Sequence, residues 1–394
     1  MLVTPPLALY VHFPWCVRKC PYCDFNSHTL HGPLAESAYI AALEADLAAQ
    51  AAEVDGREVR SIFFGGGTPS LFSPSALDRL LSSIRATLIV AADAEVTLEA
   101  NPGTIERGRF AEYRAAGINR VSLGAQSFAA RQLAALGRIH SADETRTAAN
   151  ELHAAGLENF NIDLMYALPG QTTAEALDDL DSALALAPAH VSHYQLTLEP
   201  GTVFAAQPPQ LPDDDVAAEM LDVCRERLAD AAFARYEISA YASAGRRCSH
   251  NVNYWAFGDY LGLGAGAHGK VSCARTGAVV RTARTRDPRR YSANIAGTLK
   301  RQPVPAEELP FEFMLNALRL VEGFAPSLFT QRTGLPWSRV ARQIDALEAR
   351  ELLIVEEARI RPSSRGLRFL NDLLLSFLAE KPKTNGGFGL STAV

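Results

Sequence analysis

The first half of the chain alternates between short apolar runs of β character and stretches with helical periodicity. Six such runs occur, at Leu7–Phe13, Val59–Phe64, Glu95–Ala100, Arg120–Leu123, Asn159–Met165 and Val191–Leu198. Strand–helix alternation predicts parallel strands that are joined by right-handed crossovers. Because a closed barrel of this type needs eight strands, six units predict an α/β fold built on an open, partial (β/α)6 barrel.

The stretches between these runs carry the expected helix signals. Tyr39, Leu43 and Leu47 are spaced four residues apart and form one apolar stripe. Ser141 is followed three residues later by Glu144, which is a capping-box pattern. Both patterns support helices between the predicted strands.

Polar and glycine residues follow each of the predicted strands. In a barrel of parallel strands, functional residues lie at the C-terminal strand ends. The segments at these ends are Gly65–Pro69, Glu99–Pro102, Gly124–Phe128, Asp163–Gly170 and Thr197–Glu199, and the first strand runs into a cysteine-containing loop. Each segment alone could be an ordinary turn, but their recurrence at successive strand ends predicts a shared site.

That loop contains three cysteines, Cys16, Cys20 and Cys23, in the spacing C-x3-C-x2-C. Three thiolates can hold three irons of a 4Fe–4S cube, which leaves the fourth iron open to an exchangeable ligand. The alternative is a zinc knuckle with His12 or His28 as fourth ligand. Zinc sites usually pair two separated ligand units, and the sequence has no second unit, so the cluster is the preferred interpretation.

The amino-acid composition suits a globular protein that resides in a reducing compartment. The chain has 394 residues, of which 48% are hydrophobic, and it carries a formal net charge of -6. The negative charge argues against nucleic acid as the main partner. Six cysteines in a chain of this length favour free thiolates over a disulfide framework. The sequence also lacks a signal-peptide pattern and a long apolar span, so we expect a cytoplasmic protein that visits the membrane at most peripherally.

The residues at the strand ends suit a zwitterionic ligand that carries a ribose. The glycines of Gly65–Gly67 let a backbone approach a ligand closely, and their amides and carbonyls could pair with an amino acid moiety. Glu99, Gln126 and Asp163 offer hydrogen bonds, and Arg138 offers a partner for a carboxylate. For each acidic residue alone, a helix cap or a surface ion pair remains the simpler interpretation.

A second constellation follows the predicted barrel, in the H-N-x-x-Y-W segment His250–Trp255. A histidine beside two aromatic residues could ligate heme iron and flank a porphyrin plane. From the residues alone, an ordinary loop histidine with core aromatics is the preferred interpretation. The nearby G-x-G-x-x-G of Gly264–Gly269 is not a dinucleotide motif, because a β-like stretch follows where that fold needs a helix.

The pattern changes to helices beyond residue 300. Phe311, Leu315, Leu318 and Phe324 are predicted to share one helical face, and Ser338–Arg350 to form another helix that leads into a hairpin. These elements predict a winged-helix-like module, for which intramolecular packing or contact with a partner is preferred over DNA binding in an acidic protein. The proposed domains are therefore residues 1–205 (barrel and cysteine loop), 206–300 (α/β extension with H-N-x-x-Y-W), 301–380 (C-terminal helical domain) and 381–394 (disordered tail).

Over most of its length the chain resembles the radical-SAM family of oxygen-independent coproporphyrinogen III oxidases and their relatives. The shared motifs lie in Tyr10–Cys16, Cys20–Cys23, Phe64–Ser70, Glu99–Gly103, Leu123–Phe128 and Asn161–Gly170. The resemblance implies a radical-SAM barrel whose Cys16, Cys20 and Cys23 hold a 4Fe–4S cluster with S-adenosylmethionine on the open iron. It also implies a set of S-adenosylmethionine contacts, which are Tyr10, Gly66, Gly67, Thr68, Glu99, Gln126, Arg138 and Asp163, with Thr197 as an additional candidate.

Two departures separate the chain from the oxidases. The oxidases carry a further cysteine two residues after the third cluster ligand, where this chain has Phe25, and a long extension before the cluster loop, where Tyr10 here is almost at the start. The segment His250–Trp255 is instead similar to the signature of the heme-chaperone branch of the family, the HemW-type proteins. This similarity makes His250 a predicted heme contact, with Asn251 as the partner that orients its ring.

The resemblance therefore implies a heme chaperone that binds heme and hands it to acceptor proteins, with membrane-bound respiratory enzymes among the candidate acceptors. The alternative is a catalytic radical-SAM enzyme, either the oxidase itself or an enzyme acting on another tetrapyrrole. A third class, a winged-helix DNA-binding regulator, has only the C-terminal module in its favour. Phe25, the short N-terminus and the histidine motif all favour the chaperone, and the catalytic residues of any reaction stay unassigned.

Overall fold

The structure is a computed structural model that describes residues 1–54, 56–104 and 108–378. The predicted disordered tail, residues 381–394, lies outside the described residues. The strands of the described chain are β1 (Leu7–Phe13), β2 (Trp15–Cys16), β3 (His28–Thr29), β4 (Val59–Gly66), β5 (Val90–Ala100), β6 (Arg120–Gln126), β7 (Phe160–Tyr166), β8 (His190–Gln195), β9 (Ala234–Arg235), β10 (Ala240–Ala242), β11 (Asp259–Leu263), β12 (His268–Cys273), β13 (Ala278–Arg284), β14 (Leu299–Pro303), β15 (Leu353–Glu356) and β16 (Arg359–Pro362).

Helices follow most of the barrel strands and make up most of the C-terminal domain. They are α1 (Glu36–Gln50), α2 (Pro74–Thr87), α3 (Arg109–Ala116), α4 (Ala130–Ala135), α5 (Ala142–Ala154), α6 (Thr173–Leu184), α7 (Val203–Ala206), α8 (Asp214–Asp230), α9 (Ser249–Trp255), α10 (Pro288–Ala293), α11 (Leu309–Ala317), α12 (Pro326–Thr333), α13 (Ala341–Ala349), α14 (Ser364–Arg368) and α15 (Leu370–Leu375). Within the described residues, no helix combines the length and the apolarity that crossing a bilayer requires.

Twelve strands form one sheet in the order β14-β13-β12-β11-β1-β4-β5-β6-β7-β8-β10-β9. The six strands predicted from the sequence, β1 and β4 to β8, are parallel neighbours, which confirms the partial barrel. A seventh parallel strand, β11, pairs with the other edge of β1. The sheet then continues through antiparallel strands at both ends. The extension that carries H-N-x-x-Y-W is thus built directly onto the barrel sheet.

Alternation along the strands separates an apolar outer face from a polar inner face. In β5, Val96, Leu98 and Ala100 belong to the main apolar core, which packs under the helices. Thr97 and Glu99 alternate with them and therefore point to the concave interior, since successive strand residues face opposite sides. A polar barrel interior is what a site for a charged ligand requires.

The predicted helix signals are present where the sequence places them. The stripe Tyr39, Leu43 and Leu47 is buried on α1. The side chain of Ser141 accepts from the amide of Glu144, whose carboxylate in turn accepts from the Ser141 amide, so the capping box is formed at the start of α5. These local interactions fix where the outer helices begin.

The C-terminal domain has a winged-helix-like arrangement, with α11, α12 and α13 followed by the hairpin β15–β16. It has its own apolar core, into which Leu2 and Phe257 also pack. One prediction within it is wrong. The helical face does not extend to Phe324, because α11 ends at Ala317 and Phe324 instead pairs with Ile360 of the hairpin.

Candidate functional site

The three motif cysteines lie on one loop at the C-terminal end of β1. Cys16 ends β2, and the loop returns to pair β2 with β3 through Trp15 and His28. A turn between Cys20 and Cys23 is closed by a backbone hydrogen bond of 3.2 Å from the Cys23 amide to the Cys20 carbonyl. All three thiols are half-buried. The loop therefore presents three sulfurs at the mouth of the barrel, as the spacing predicts.

Burial disfavours ionisation of these thiols in the absence of a metal. It is the largest cause that raises the pKa of Cys16 and of Cys23, and the neighbouring cysteine charges raise it further. A hydrogen bond from the Thr68 side chain lowers the pKa of Cys16 and so opposes this rise. Arg138 donates from Nη1 to the Cys20 sulfur at 3.6 Å. Within the described residues, no three His, Cys, Asp or Glu side chains converge on a single ion position. Three sulfurs that each bind a different iron of a cluster need no such convergence.

The glycine triplet at the end of β4 lies directly against the cysteine loop. Gly66 has a φ of +114°, and a Cβ on Gly67 would lie 2.5 Å from the carbonyl oxygen of Trp15. The Gly66 amide donates to Glu99 at 2.9 Å, and the Gly67 amide donates to the Phe13 carbonyl at 2.7 Å. Because the Gly66 and Gly67 amides already have partners, a ligand would have to displace one of these hydrogen bonds to pair with them, and the role of the triplet in binding stays a prediction.

Two acidic side chains face each other inside the barrel mouth. Burial, followed by the charge of Asp163, raises the pKa of Glu99 to about 8. Burial also raises the pKa of Asp163, although Asn161 and Ser122 donate to its carboxylate at 2.7 and 3.2 Å. Because both carboxyls are buried and close together, their charged forms are disfavoured. A cation between them, such as an ammonium or sulfonium group, would stabilise the charged pair.

Gln126 and Arg138 complete this side of the mouth. Gln126 is the last residue of β6, has a φ of +61° and follows an irregularity in the pairing with β7. Among the residues that the structure describes, Oε1 of Gln126 is buried without a hydrogen-bond partner, as is Nε of Arg138. Arg138 Nη2 donates to the Gly124 carbonyl at 2.8 Å, which holds the guanidinium beside Gln126. A strained backbone and unpaired polar atoms around one space are typical of a ligand site, so the predicted S-adenosylmethionine contacts fit a polar ligand here.

Tyr10 joins the barrel interior to the cysteine loop through His12. The His12 ring donates from Nε2 to the carbonyl of Asn26 at 2.8 Å, so its Nδ1 accepts from the Tyr10 hydroxyl at 2.9 Å. The sequence analysis considered His12 only as a zinc ligand and missed this role. The sequence pattern that could have revealed this role of His12 is its i, i+2 spacing from Tyr10, which places both rings on the inner face of β1.

The last two predicted contacts, Thr68 and Thr197, lie in different surroundings. Thr68 is buried beside the loop, with its amide bonded to the Trp15 carbonyl at 2.7 Å and its side chain bonded to Cys16. Thr197 lies exposed beyond the end of β8 and donates to Glu199 at 2.8 Å. The structure thus brings Thr68 to the mouth with the other predicted contacts and leaves Thr197 in the solvent-facing loop.

His250 lies at the opposite, N-terminal end of the barrel, on α9. Its side chain is buried, with 1% of the residue exposed. Nδ1 is hydrogen-bonded to Ser61 and Nε2 to Tyr254, both at 3.0 Å, and the ring stacks on Phe63 at 5.0 Å. Burial lowers the pKa of His250 to about 3, so the ring is neutral. The prediction that Asn251 orients this ring is wrong, because Ser61 and Tyr254 do so.

The other groups near this motif are equally enclosed. Trp255 is buried, with the guanidinium of Arg319 over its ring at 4.2 Å. Cys248 is buried and its thiol contacts Glu95 at 3.5 Å, while the Glu95 carboxylate also accepts from the His250 amide at 3.1 Å. The segment His250–Trp255 therefore closes the barrel end and presents neither the imidazole nor the indole to solvent in this structure.

Two family models match the sequence. The Radical SAM superfamily model matches residues 10–183, and the HemN C-terminal domain model matches residues 304–369. The first range contains the cysteine loop and every predicted S-adenosylmethionine contact except Thr197. The second covers most of the winged-helix-like domain.

Curated relatives match almost the whole chain. Heme chaperone HemW of Escherichia coli (strain K12) is 47% identical over 380 residues, which cover 96% of this chain and 100% of that protein. Heme chaperone HemW of Haemophilus influenzae is 46% identical, over 96% of this chain and 99% of that protein. The radical S-adenosyl methionine domain-containing protein 1, mitochondrial, of Bos taurus is 36% identical, over 94% of this chain and 87% of that protein.

One solved structure shares the fold over nearly its full length. It is the coproporphyrinogen III oxidase HemN of Escherichia coli, described as a radical SAM enzyme, with a TM-score of 0.80 and 23% sequence identity. The match covers 95% of this chain and 90% of the oxidase. At this identity, the likeness concerns the fold alone.

Proposed function

The chain belongs to the HemW family of radical-SAM proteins, and from this membership we propose that it binds heme and transfers it to acceptor proteins. The observation that carries the proposal is the 47% identity to Heme chaperone HemW, which extends over 96% of the chain.

We propose that Cys16, Cys20 and Cys23 hold a 4Fe–4S cluster. The cluster would supply an open iron for S-adenosylmethionine and, when reduced, an electron source. Thr68 and Arg138 support the thiolates by hydrogen bonds to Cys16 and Cys20. These bonds stabilise the charged sulfurs in surroundings where burial alone would disfavour them.

The residues around the loop would orient S-adenosylmethionine. Glu99 and Asp163 would accept hydrogen bonds from the ammonium and ribose groups of this ligand. Gln126 and Arg138 bring buried polar atoms that have no partner in the described chain. Tyr10 limits the interior side of this space, because its ring packs near Phe63 and its hydroxyl is fixed by His12.

The chaperone would work in the cytoplasm and hand heme to acceptors, with membrane-bound respiratory enzymes as candidates. The support for the cytoplasm is chemical, since three cluster thiolates need reducing surroundings. His250 stays a predicted heme contact. For His250 to ligate heme iron, its ring would have to break the hydrogen bond to Ser61 or the one to Tyr254, because both ring nitrogens are hydrogen-bonded.

The catalytic alternative keeps one observation in its favour, which is that the predicted S-adenosylmethionine contacts Glu99, Gln126, Arg138 and Asp163 lie together at the barrel mouth. Against it stands Phe25, which is 51% exposed at the position where the oxidases place their additional cysteine.

One anaerobic sample can separate the two functions. Cluster-loaded protein is titrated with hemin by Soret absorbance, and the same preparation is then reduced and incubated with S-adenosylmethionine and coproporphyrinogen III. We expect saturable heme binding and no protoporphyrinogen. Multiple turnovers to protoporphyrinogen would support the oxidase, and failure to bind heme would remove the chaperone proposal.

A further inference from the structure

We propose that heme binding at α9 tightens when S-adenosylmethionine occupies the barrel mouth, because a buried chain of hydrogen-bonded side chains connects the two places. The four members of this chain, called the interior chain hereafter, are Asp163, Asn161, His190 and Tyr236. The inference rests on the proposed chaperone function and adds how its two ligand sites are connected. Asn161, His190 and Tyr236 are positioning residues here, because none of them is a predicted contact of either ligand.

Three hydrogen bonds between side chains join the interior chain from the barrel mouth downwards. Nδ2 of Asn161 donates to the Asp163 carboxylate at 2.7 Å. Oδ1 of Asn161 lies 2.6 Å from Nδ1 of His190, and Nε2 of His190 lies 2.9 Å from the Tyr236 hydroxyl. Asn161, His190 and Tyr236 are each at most 1% exposed. The interior chain therefore runs through the packed barrel and not over its surface.

The direction of every hydrogen bond in the interior chain follows from its chemistry. Burial lowers the pKa of His190 well below its usual value, so the ring is neutral. Because the amide oxygen of Asn161 can only accept, Nδ1 of His190 carries the proton and Nε2 accepts from Tyr236. Each donor thus points toward the mouth, and the last acceptor is the Asp163 carboxylate. The bonds of such a series polarise one another, so a change at Asp163 alters all of them.

The lower end of the interior chain reaches the first turn of α9. The Tyr236 hydroxyl accepts from the Cys248 amide at 3.4 Å, and Cys248 directly precedes α9. The Glu95 carboxylate binds the same turn, because it accepts from the amides of Ser249 and His250, both at 3.1 Å. These two anchors fix the start of the segment that carries the predicted heme contact.

A buried arginine interacts with carboxylates at both ends of the barrel. Arg120 is 2% exposed, and its Nε lies 4.0 Å from the Glu95 carboxylate. Within the described part of the chain, this Nε has no hydrogen-bond partner. Although burial alone would lower the pKa of Arg120, the charges around it, those of Glu95 and Asp163 among them, raise it above its usual value. The guanidinium is therefore shared between the mouth and the anchor of α9.

Occupation of the mouth changes both connections in the same sense. Asp163 accepts from the ammonium or ribose groups of the ligand and becomes a weaker acceptor for Asn161. With a cationic ligand beside Asp163, Arg120 interacts more strongly with Glu95 and competes there with the α9 amides. Both changes loosen the start of α9. Because the His250 ring must break a hydrogen bond before it can ligate iron, a looser α9 lowers the free-energy cost of heme binding.

The test measures hemin affinity by Soret absorbance on full-length, cluster-loaded protein, kept anaerobic and unreduced, with and without saturating S-adenosylmethionine. The ratio of the two dissociation constants is the coupling ratio. We expect hemin to bind about tenfold more tightly with S-adenosylmethionine present, which is a typical coupling between two sites. Titration of S-adenosylmethionine with and without hemin should give the same factor, because coupling between binding sites is reciprocal.

Tyr236→Phe tests the interior chain, because it removes one hydroxyl and keeps the ring. That hydroxyl bonds both His190 and the Cys248 amide, so its loss disconnects α9 from the chain. The matched control is Tyr241→Phe, which removes a buried hydroxyl that has no hydrogen-bond partner among the residues described. We expect a coupling ratio near one in Tyr236→Phe and the wild-type ratio in Tyr241→Phe. A merely structural role of Tyr236 would lower the melting temperature and leave the coupling ratio unchanged.

Two variants of His190 make the test independent of how well Tyr236→Phe folds. His190→Leu removes both the donor and the acceptor at the centre of the interior chain. His190→Gln keeps one donor and one acceptor, which can bridge Asn161 and Tyr236 in the same direction. We expect the coupling ratio to fall to near one in His190→Leu and to be partly retained in His190→Gln.

The outcomes distinguish this inference from the chaperone proposal. Equal or weaker hemin affinity in the presence of S-adenosylmethionine would overturn the inference, whereas the chaperone proposal stands because hemin still binds. A wild-type coupling ratio in Tyr236→Phe and His190→Leu would also overturn it, since the coupling would then not depend on the interior chain. If the wild type does not bind hemin at all, the chaperone proposal fails and this inference fails with it.

Discussion

Glu99 makes the stability of the ligand-free protein depend on pH in a direction that is unusual for a carboxylate. Burial and the charge of Asp163 raise its pKa from 4.5 to about 8. A group whose pKa is raised on folding contributes its full stability below the unfolded pKa and loses it as the pH rises through the folded pKa. The stabilisation from Glu99 therefore begins to be lost above pH 4.5 and is lost completely once the pH exceeds about 8.

The change Glu99→Gln removes this titration while keeping the size of the side chain and an acceptor for the Gly66 amide. Each pH unit between the two pKa values is worth about 1.4 kcal/mol, so from about pH 6 to about pH 8 the wild type should lose roughly 2.7 kcal/mol relative to the variant. With an unfolding entropy of roughly 2 cal/mol/K per residue, this corresponds to about 3 °C in melting temperature.

The assay is a set of anaerobic thermal scans without S-adenosylmethionine, on wild type, Glu99→Gln and the surface control Glu357→Gln, at about pH 6 and about pH 9. The difference between wild type and Glu99→Gln should change by about 3 °C between the two conditions, in favour of the variant at high pH. Glu357 lies exposed on the C-terminal hairpin, so its variant should follow the wild type. A difference that stays constant, or one that grows at low pH, would refute the raised pKa.

Three further changes probe the cluster loop, the glycine triplet and the closed barrel end. Cys20→Ser should lose most of the iron found after anaerobic reconstitution, and a full cluster in this variant, or one zinc with no iron, would contradict the three-cysteine assignment. Gly67→Ala should weaken S-adenosylmethionine binding and reduce iron content, because its Cβ would lie 2.5 Å from the Trp15 carbonyl; equal titration curves for variant and wild type would speak against this. Ser61→Ala leaves Nδ1 of His250 without its partner and should destabilise the protein by about 1–3 kcal/mol in denaturant unfolding, while leaving iron content unchanged.

The sequence by itself determined the parts of this protein that depend on local patterns. Period-two and period-four spacings predicted the barrel strands and helices, because they reflect which face of each element is buried. The polar residues after each strand predicted a shared mouth, since parallel strands end at one edge of a sheet. The C-x3-C-x2-C spacing placed three thiols on one loop, and the predicted contacts Glu99, Gln126, Arg138 and Asp163 do meet there.

Only the tertiary structure decided matters that depend on contacts between distant segments. The strand β11 joins β1 from more than 240 residues away along the chain, and no local pattern identifies such a partner. The same holds for His250. Its motif suggested an accessible ligand, whereas Ser61 from β4 occupies one nitrogen of its ring and the barrel encloses the rest. His268, a rival ligand in the sequence, instead begins β12 with an exposed side chain. Accessibility is a property of the packed chain, so sequence spacing could name the candidate residues but could not choose between them.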